Sequence, residues 1–229
     1  MKNQKALEKY YPRHVAFIMD GNRRWAQKKK LPIIEGHKRG SISIKKIVKK
    51  SLDLKIRYLT FFGFSTENWK REPQEIEQLQ ELLYFYLESE HKTFTDEKIR
   101  FNTIGDLSKF KNKIRKKIDF LKVQTEKFSK MYLTLALNYG SRNEIINAIK
   151  KTKKINLKNF EKNLYTKNIP DPDILIRTGG HYRLSNFMLW QLAYAELFFV
   201  KKLWPDFNAN DLNKIIKKYK NTKRNFGSI

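Results

Sequence analysis

Four short segments hold the residue types that grip phosphate. The first, Asp20-Gly-Asn-Arg-Arg-Trp25, follows directly on the apolar run His14–Met19. Gly21 and Asn22 form a turn that lets backbone approach a ligand, a helix starting there offers free amides to an anion, and Arg23 and Arg24 add charge. A carboxylate beside a phosphate would repel it unless a divalent cation such as Mg²⁺ bridges the two, so Asp20 reads as a metal holder on a diphosphate. The second segment, Gly36-His37-Lys-Arg-Gly40, opens a helix. The third, Ser65-Thr-Glu-Asn-Trp-Lys-Arg71, follows the run Tyr58–Phe64 and ends in a cation. The fourth, Arg177-Thr-Gly-Gly-His-Tyr-Arg-Leu-Ser-Asn186, combines Arg177, Arg183 and Ser185 with paired glycines, and is expected to offer a second diphosphate both guanidinium forks and backbone amides. Each alone is compatible with an ordinary loop; four of one chemistry, all at loop positions, point to a site.

The elements needed to position them follow from periodicity. Short apolar, β-branched or aromatic runs recur at His14–Met19, Tyr58–Phe64, Ile99–Ile104, Met131–Leu137, Ile174–Ile176 and Leu197–Val200, separated by stretches of helical spacing. This predicts an α/β fold, a single domain over 1–229 with a largely parallel central sheet flanked by helices. In such sheets ligands gather where strands end at their carboxyl side, and Asp20 falls at such an end. Pro73 opens a long helix with Ile76, Leu79, Leu82, Leu83 and Leu87 at helical spacing. Its segment Leu82–Leu87 is apolar nearly all round, which suits buried core, a dimer face or the wall of a greasy channel. The tail 217–229 is basic without clear apolar period.

Composition narrows the class. The 229 residues, 40% hydrophobic and 14% aromatic, suffice for one substantial core. Cysteine is absent and no signal-like leader is visible, which points to a cytoplasmic protein. The apolar stretch Leu192–Val200 is interrupted by Glu196 and is far shorter than the roughly 20 residues that span a bilayer. Lysine and arginine exceed the acids by 49 − 23 = 26, a field that attracts phosphates, polyanions or anionic headgroups. Lysine runs such as 28–30, 111–117 and 150–154 read as solvated faces.

Together the segments resemble the cis-prenyltransferases, most closely the bacterial undecaprenyl diphosphate synthases. The resemblance rests on His14-Val-Ala-Phe-Ile-Met-Asp-Gly-Asn22 with Arg24-Trp25, Gly36-His37-Lys-x-Gly40, Phe64-Ser-Thr-Glu-Asn-Trp69 with Arg71, Asn138-Tyr-Gly-x-Arg142 and Asp173-Ile-Leu-Ile-Arg-Thr-Gly-Gly180. It continues through Arg183-Leu-Ser-Asn-Phe187, Leu189-Trp-Gln-Leu-Ala-Tyr-Ala-Glu-Leu197 and Trp204-Pro-Asp206, in the family's order and over almost the whole chain. It implies cis elongation of farnesyl diphosphate by isopentenyl diphosphate, with a hydrophobic tunnel for the growing chain. The tunnel walls are expected from Leu82–Leu87 and the strands at Tyr58–Phe62 and Leu133–Leu137.

By the same resemblance, Asp20, Gly21, Asn22, Arg24, His37 and Arg71 hold the allylic diphosphate, joined in the site by Arg23 and Trp25. Arg177, Arg183 and Ser185 hold the isopentenyl diphosphate. Ser65, Glu67, Asn68 and Trp69 lie on a closing loop, with Asn68, Ser65 and released pyrophosphate all open as proton acceptor. Glu196 assists Asp20 in binding Mg²⁺. The family forms homodimers, with Tyr194–Phe199 and the tail near the contact, and a basic enzyme making a membrane lipid fits peripheral binding at the inner membrane face.

The chain departs from the family pattern at Ile33, where an arginine is common, and Arg23 is a candidate replacement for that cation. His181-Tyr182 stands where an acid often follows the paired glycines, and Asn225-Phe-Gly227 replaces a common Arg-x-Gly. A trans-prenyltransferase would need Asp-Asp-x-x-Asp clusters, and the chain has no Asp-Asp pair. A nucleic-acid-binding module would account for the charge but not for the Asp20 turn or Arg-Thr-Gly-Gly, so no nucleic-acid partner is expected.

Overall fold

The computed structural model describes residues 11–222. Six strands form one sheet, all neighbours parallel, in the order β3-β4-β2-β1-β5-β6. They are β1 His14–Ile18, β2 Tyr58–Ser65, β3 Ile99–Ile104, β4 Met131–Tyr139, β5 Ile174–Arg177 and β6 Glu196–Phe199. The sequence expectation of a largely parallel sheet flanked by helices holds, with strand ends shifted by one or two residues. β1 is buried along its whole length, as a central parallel strand covered on both faces must be. Val15 and Phe17 face the larger core, while Ala16 and Ile18 face a second cluster with Tyr139, Leu175 and Phe187.

Helices α1 Asn22–Lys28 and α2 Ile33–Asp53 follow β1. Helix α3, Pro73–Asp96, begins with proline in its first turn, as the sequence predicts. It is followed by α4 Asn112–Thr125, α5 Ser141–Lys151, α6 Leu157–Glu161 and α7 Ala209–Lys220. Helix α2 buries Gly36, Gly40, Ser43, Ile44, Ile47, Val48 and Ser51 along one stripe. Its glycines serve contact with α1: a Cβ on Gly36 would lie 2.1 Å from the Asn22 carbonyl oxygen, and one on Gly40 2.5 Å from Asn22 Oδ1. The expected basic tail divides here. Residues 217–220 close α7, which buries Tyr219, and 223–229 lie outside the described residues.

The strand order decides where a ligand can sit. β1 lies between β2, which follows it in the chain, and β5, which the chain reaches only after crossing back from β4, so the strand order switches at β1 and a crevice opens beyond the carboxyl ends of these three strands. Asp20, Ser65 and Arg177 are the residues at those ends.

Candidate active site

Asp20 is the hinge of this crevice. Its Oδ1 accepts from Arg24 Nη2 at 3.0 Å, one turn along the chain, and its Oδ2 accepts from Arg177 Nη2 at 2.9 Å, across the sheet. Its backbone carbonyl accepts from Thr178 Oγ1 at 2.8 Å and from the Trp204 amide at 3.1 Å. Arg177 also donates through Nη1 to Ser185 Oγ at 2.7 Å and to the Arg183 carbonyl. The carboxylate thus aligns two guanidinium groups by charge-assisted bonds and stays partly open to the cavity.

The cavity has a volume of about 730 Å³ and gathers Asp20, Gly21, Asn22, Arg23, Arg24 and His37 with Ser65, Glu67, Asn68, Arg71, Arg177, Arg183 and Ser185, thirteen of the sixteen residues expected from sequence. Asn22 Oδ1, His37 Nε2 and Arg177 Nε are buried there with no partner within the protein. Unpaired buried polar atoms are costly, and all three belong to residues that line one polar cavity. Burial lowers the His37 pKa to about 4, assisted by the positive charges of Arg71 and Arg23. The imidazole is therefore neutral at physiological pH, and an incoming anion would raise its proton affinity.

The loop after β2 is held from two sides. Ser65 and Asn68 cap the 3₁₀ turn Thr66–Lys70 reciprocally, with Asn68 Oδ1 accepting from the Ser65 amide at 3.0 Å. Asn186 donates to Glu67 Oε1 at 3.2 Å, while its side-chain and main-chain oxygens accept from the Arg142 and Ser141 amides. Ser185 and Asn186 both adopt left-handed backbone, at φ 49 and 61, a costly conformation concentrated next to Arg177. Beyond His37 and Asn22 the cavity adjoins a narrow apolar pocket of about 110 Å³, walled by Ile44, Phe64, Leu79, Leu83, Leu135 and Leu137. The expected wall from Leu82–Leu87 and β4 is present, but β2 contributes Gly63 and Phe64 rather than Tyr58–Phe62.

Residues 18–227 match the family model described as "Putative undecaprenyl diphosphate synthase". The chain belongs to this family of prenyltransferases. The isoprenyl transferase of Thermotoga maritima is 45% identical over 227 residues, covering 95% of this chain and 97% of its own. Among solved structures, lavandulyl diphosphate synthase from Lavandula x intermedia, in complex with dimethylallyl diphosphate, superposes with a TM-score of 0.92 at 33% identity, covering 96% of this chain and all of its own. A Campylobacter jejuni protein described as "a probable undecaprenyl diphosphate synthase" gives 0.81 at 36% identity, covering 95% and 99%.

Three residues expected at the site stand elsewhere. Trp25 does not line the cavity; its Nε1 donates to Asp206 Oδ1 at 2.8 Å and locks α1 to the segment after β6. Trp69 is also an anchor, packing on Phe64 and Phe110 and donating to Asn138 Oδ1 at 2.8 Å. Glu196 begins β6, where it is level with Ile174 and hence with Val15. That is three residues, roughly 10 Å, back along the strand direction from Ile18 and on the far side of β5, so Glu196 does not join Asp20 within one chain.

The expectation that Gly179 and Gly180 offer amides to a phosphate also fails, because these donate to the carbonyls of Lys202 and Val200. Gly179 serves instead by size: a Cβ there would meet Arg24 Nη2 at 2.6 Å.

The sequence reading matched Trp204-Pro-Asp206 to the family but gave it no role, and the structure makes it a clamp. Trp204 is fully buried and donates from its amide to Asp20 and from Nε1 to the Gly40 carbonyl at 2.9 Å, while the Pro205 carbonyl accepts from Ser43. The sequence reading missed Glu75, which receives Arg71 Nη1 at 2.9 Å and approaches Arg23 Nη1 at 3.8 Å. An acid two residues after a proline reads from sequence only as a helix-start charge.

Proposed function

We propose that the protein extends farnesyl diphosphate by successive cis condensations with isopentenyl diphosphate, giving a long polyprenyl diphosphate of the undecaprenyl class. The observation that carries this reading is the junction of two environments: Asn22 and His37 line both the cationic cavity and the apolar pocket. An allylic diphosphate seated there has its phosphates among Arg24, His37 and Arg71 and its hydrocarbon pointing into the pocket. Arg177, Arg183 and Ser185 are left to the isopentenyl diphosphate, one strand away.

The donor chemistry fits magnesium, which is commonly held by one or two carboxylates together with substrate phosphate oxygens. Among the described residues no three His, Cys, Asp or Glu side chains form a cage, and Asp20 and Glu67 are the carboxylates that line the cavity. When bound on Asp20 and the allylic diphosphate, the ion would offset charge developing on the leaving group. Arg24 and Arg71 supply fixed positive charge to that same oxygen cluster as the carbon–oxygen bond breaks. The isopentenyl double bond attacks the allylic C1, a carbon–carbon bond forms, and one proton leaves the isopentenyl C2. The Ser65 and Asn68 side chains are tied up in the 3₁₀ cap, so a phosphate oxygen of the departing pyrophosphate is the better proton acceptor, with the Asn68 amide donating to it.

A homodimer fits the apolar groups at the β6 edge, where Leu197 is 43% exposed and Tyr194, just before the strand, is 73% exposed. Glu196 could take part in a metal site only if a second chain presents it. No helix among the described residues is long and apolar enough to cross a membrane, and contact with the inner membrane face would rest on charge and exposed apolar groups.

The test is incubation with farnesyl diphosphate, labelled isopentenyl diphosphate and Mg²⁺, with and without chelator, followed by separation of extracted products by length. Chelator-sensitive formation of one long class is expected; folded protein that leaves no label in the lipid extract would overturn the reading.

A further inference from the structure

Two neighbouring strands are irregular at the same level of the sheet. β2 pairs Phe62 with Ala136, Phe64 with Leu137 and Ser65 with Tyr139 on β4, so Gly63 is an extra residue on one strand and Asn138 on the other. Bulges of this kind re-aim a side chain beside a site. Asn138 is left-handed at φ 47 and, among the described residues, is the only non-glycine residue with positive φ inside a strand. Glycine would adopt that conformation at less cost, so what asparagine adds is its amide.

Both ends of the amide are used. Oδ1 accepts from Trp69 Nε1 at 2.8 Å, and Nδ2 donates to the Asp106 carbonyl at 2.8 Å. The Asp106 side chain accepts from the Ser108 amide at 2.9 Å and its hydroxyl at 3.0 Å, so the carbonyl that Asn138 holds belongs to a turn that is itself fixed. The same loop brings the Phe110 ring to 5.4 Å from the Trp69 ring, and Phe64 lies at 4.8 Å on another side. The indole is confined by two rings, and the hydrogen bond to Asn138 fixes its rotation between them.

The 3₁₀ turn Thr66–Lys70 buries none of its own residues, so its place on the sheet depends on what it grips outside itself. The bond from Asn186 to Glu67 is exposed and 3.2 Å long, whereas that from Trp69 to Asn138 is part-buried and 2.8 Å. Trp69 stands directly after Asn68 and two residues before Arg71, both of which line the cationic cavity.

Resting on the polyprenyl reading above, we propose that Asn138 is a positioning residue for the allylic diphosphate. Asn138 is not among the residues that line the cavity; it holds the Trp69 indole and, through it, sets where Asn68 and Arg71 stand. A binding group displaced by about 1 Å costs about 100-fold in rate, which is the leverage of such a contact.

Two substitutions test this by removing the same bond from its two ends. Asn138→Gly suits the backbone and deletes the amide, while Trp69→Phe keeps an aromatic ring and deletes the N–H. Each should raise KM for the allylic diphosphate about tenfold, leave KM for isopentenyl diphosphate within about twofold, and shift the thermal midpoint by less than about 4 °C. The double variant should be no worse than either single one, because both act through one bond. Unchanged kinetics, an equal rise in both KM values, or a double variant whose loss is the product of the two would each overturn the proposal. Trp69→Phe leaves β4 untouched and carries the test should the glycine variant not fold. Calorimetric titration with inorganic pyrophosphate and Mg²⁺ needs no turnover: its dissociation constant should rise about three- to tenfold in both variants as the charged contact to Arg71 weakens, and equal affinity in folded variants overturns the positioning role. If the unmodified protein makes no polyprenyl product at all, the enzymatic reading fails, and the pyrophosphate titration alone decides whether Asn138 positions the site.

Discussion

Two histidines mark opposite ends of the sheet, His14 fully buried and His37 partly so. His14 begins β1 at the amino end, where Nδ1 meets the Pro170 carbonyl at 2.6 Å and Nε2 meets Thr60 Oγ1 at 2.8 Å. His37 lies at the carboxyl end with Nε2 unpartnered and two arginines nearby. Burial lowers both to a pKa of about 4. A lowered proton affinity therefore does not separate a structural histidine from a functional one; the satisfaction of its nitrogens does. The same contrast runs through each end as a whole. Asp173 accepts the Arg13 and His14 amides, whereas Asp20 holds two arginines facing open space. The amino end is complete as folded, and the carboxyl end awaits charge.

The largest effect expected from this contrast is at Asp20. Asp20→Asn removes the charge that aligns Arg24 and Arg177 and the carboxylate for the metal, and turnover should fall by about 10²–10³. Stability should change far less, since the two arginines lose a partner but gain room for anions. A steady-state assay alongside thermal unfolding checks both, and unfolding without the charge would place Asp20 in the structural class with Asp173.

Next comes substitution of the histidines themselves. His14→Ala leaves the Thr60 hydroxyl and a buried carbonyl unpaired and opens a void, and should cost about 2–4 kcal/mol of stability without altering KM. His37→Ala should leave stability nearly unchanged and raise KM for the allylic diphosphate about tenfold. Equal stability losses would erase the distinction between the two ends.

The pH dependence follows from the same pair. Each histidine binds its proton in the unfolded chain near 6.5 but in the folded protein only near 4. The unfolded state thus holds more protons between those values, and stability falls as pH drops from about 6.5 to about 4, by about 3 kcal/mol for each group. Inorganic pyrophosphate with Mg²⁺ should recover the His37 share by raising its folded pKa, and leave the His14 share untouched. Denaturant titrations at pH 7 and 4.5, with and without pyrophosphate, separate the two; recovery that persists in His37→Ala would sink the assignment.

How far this was legible in the sequence depended on what kind of signal each residue gave. The parallel sheet was legible because fully buried strands read as unbroken apolar runs, and the crevice because polar segments followed those runs. Side-chain direction was not. Trp25 and Trp69 sit inside the matching motifs, yet their indoles reach Asp206, 181 residues away, and Asn138, 69 away, partners that only the folded chain brings near. Gly179 and Gly180 looked like phosphate cradles because a glycine pair signals close approach without saying to what. Glu196 was joined to Asp20 by resemblance alone, and the register of the edge strand, which the sequence does not state, sets the two apart within one chain. The tryptophans and the glycine pair are long-range contacts superimposed on a correct local reading.

The smallest expected effect bears on Ile33 and Arg23. Ile33 lies at the first position of α2, and the candidate replacement cation, Arg23, does line the cavity, sharing Glu75 with Arg71. The two contacts differ in worth. Arg71 meets Glu75 at 2.9 Å with that carboxylate mostly buried, whereas Arg23 stands at 3.8 Å with its side chain 58% exposed, a geometry that contributes only ~0.2–1 kcal/mol. Glu75→Gln should therefore free Arg71 and raise KM for the allylic diphosphate about three- to tenfold with little change in kcat, marking Glu75 as a positioning residue. Arg23→Ala should raise it about twofold, and that effect should vanish in 0.5 M salt as an exposed charge is screened. If instead Arg23→Ala costs as much as Arg71→Ala at every ionic strength, Arg23 holds phosphate directly and carries the charge that Ile33 lacks.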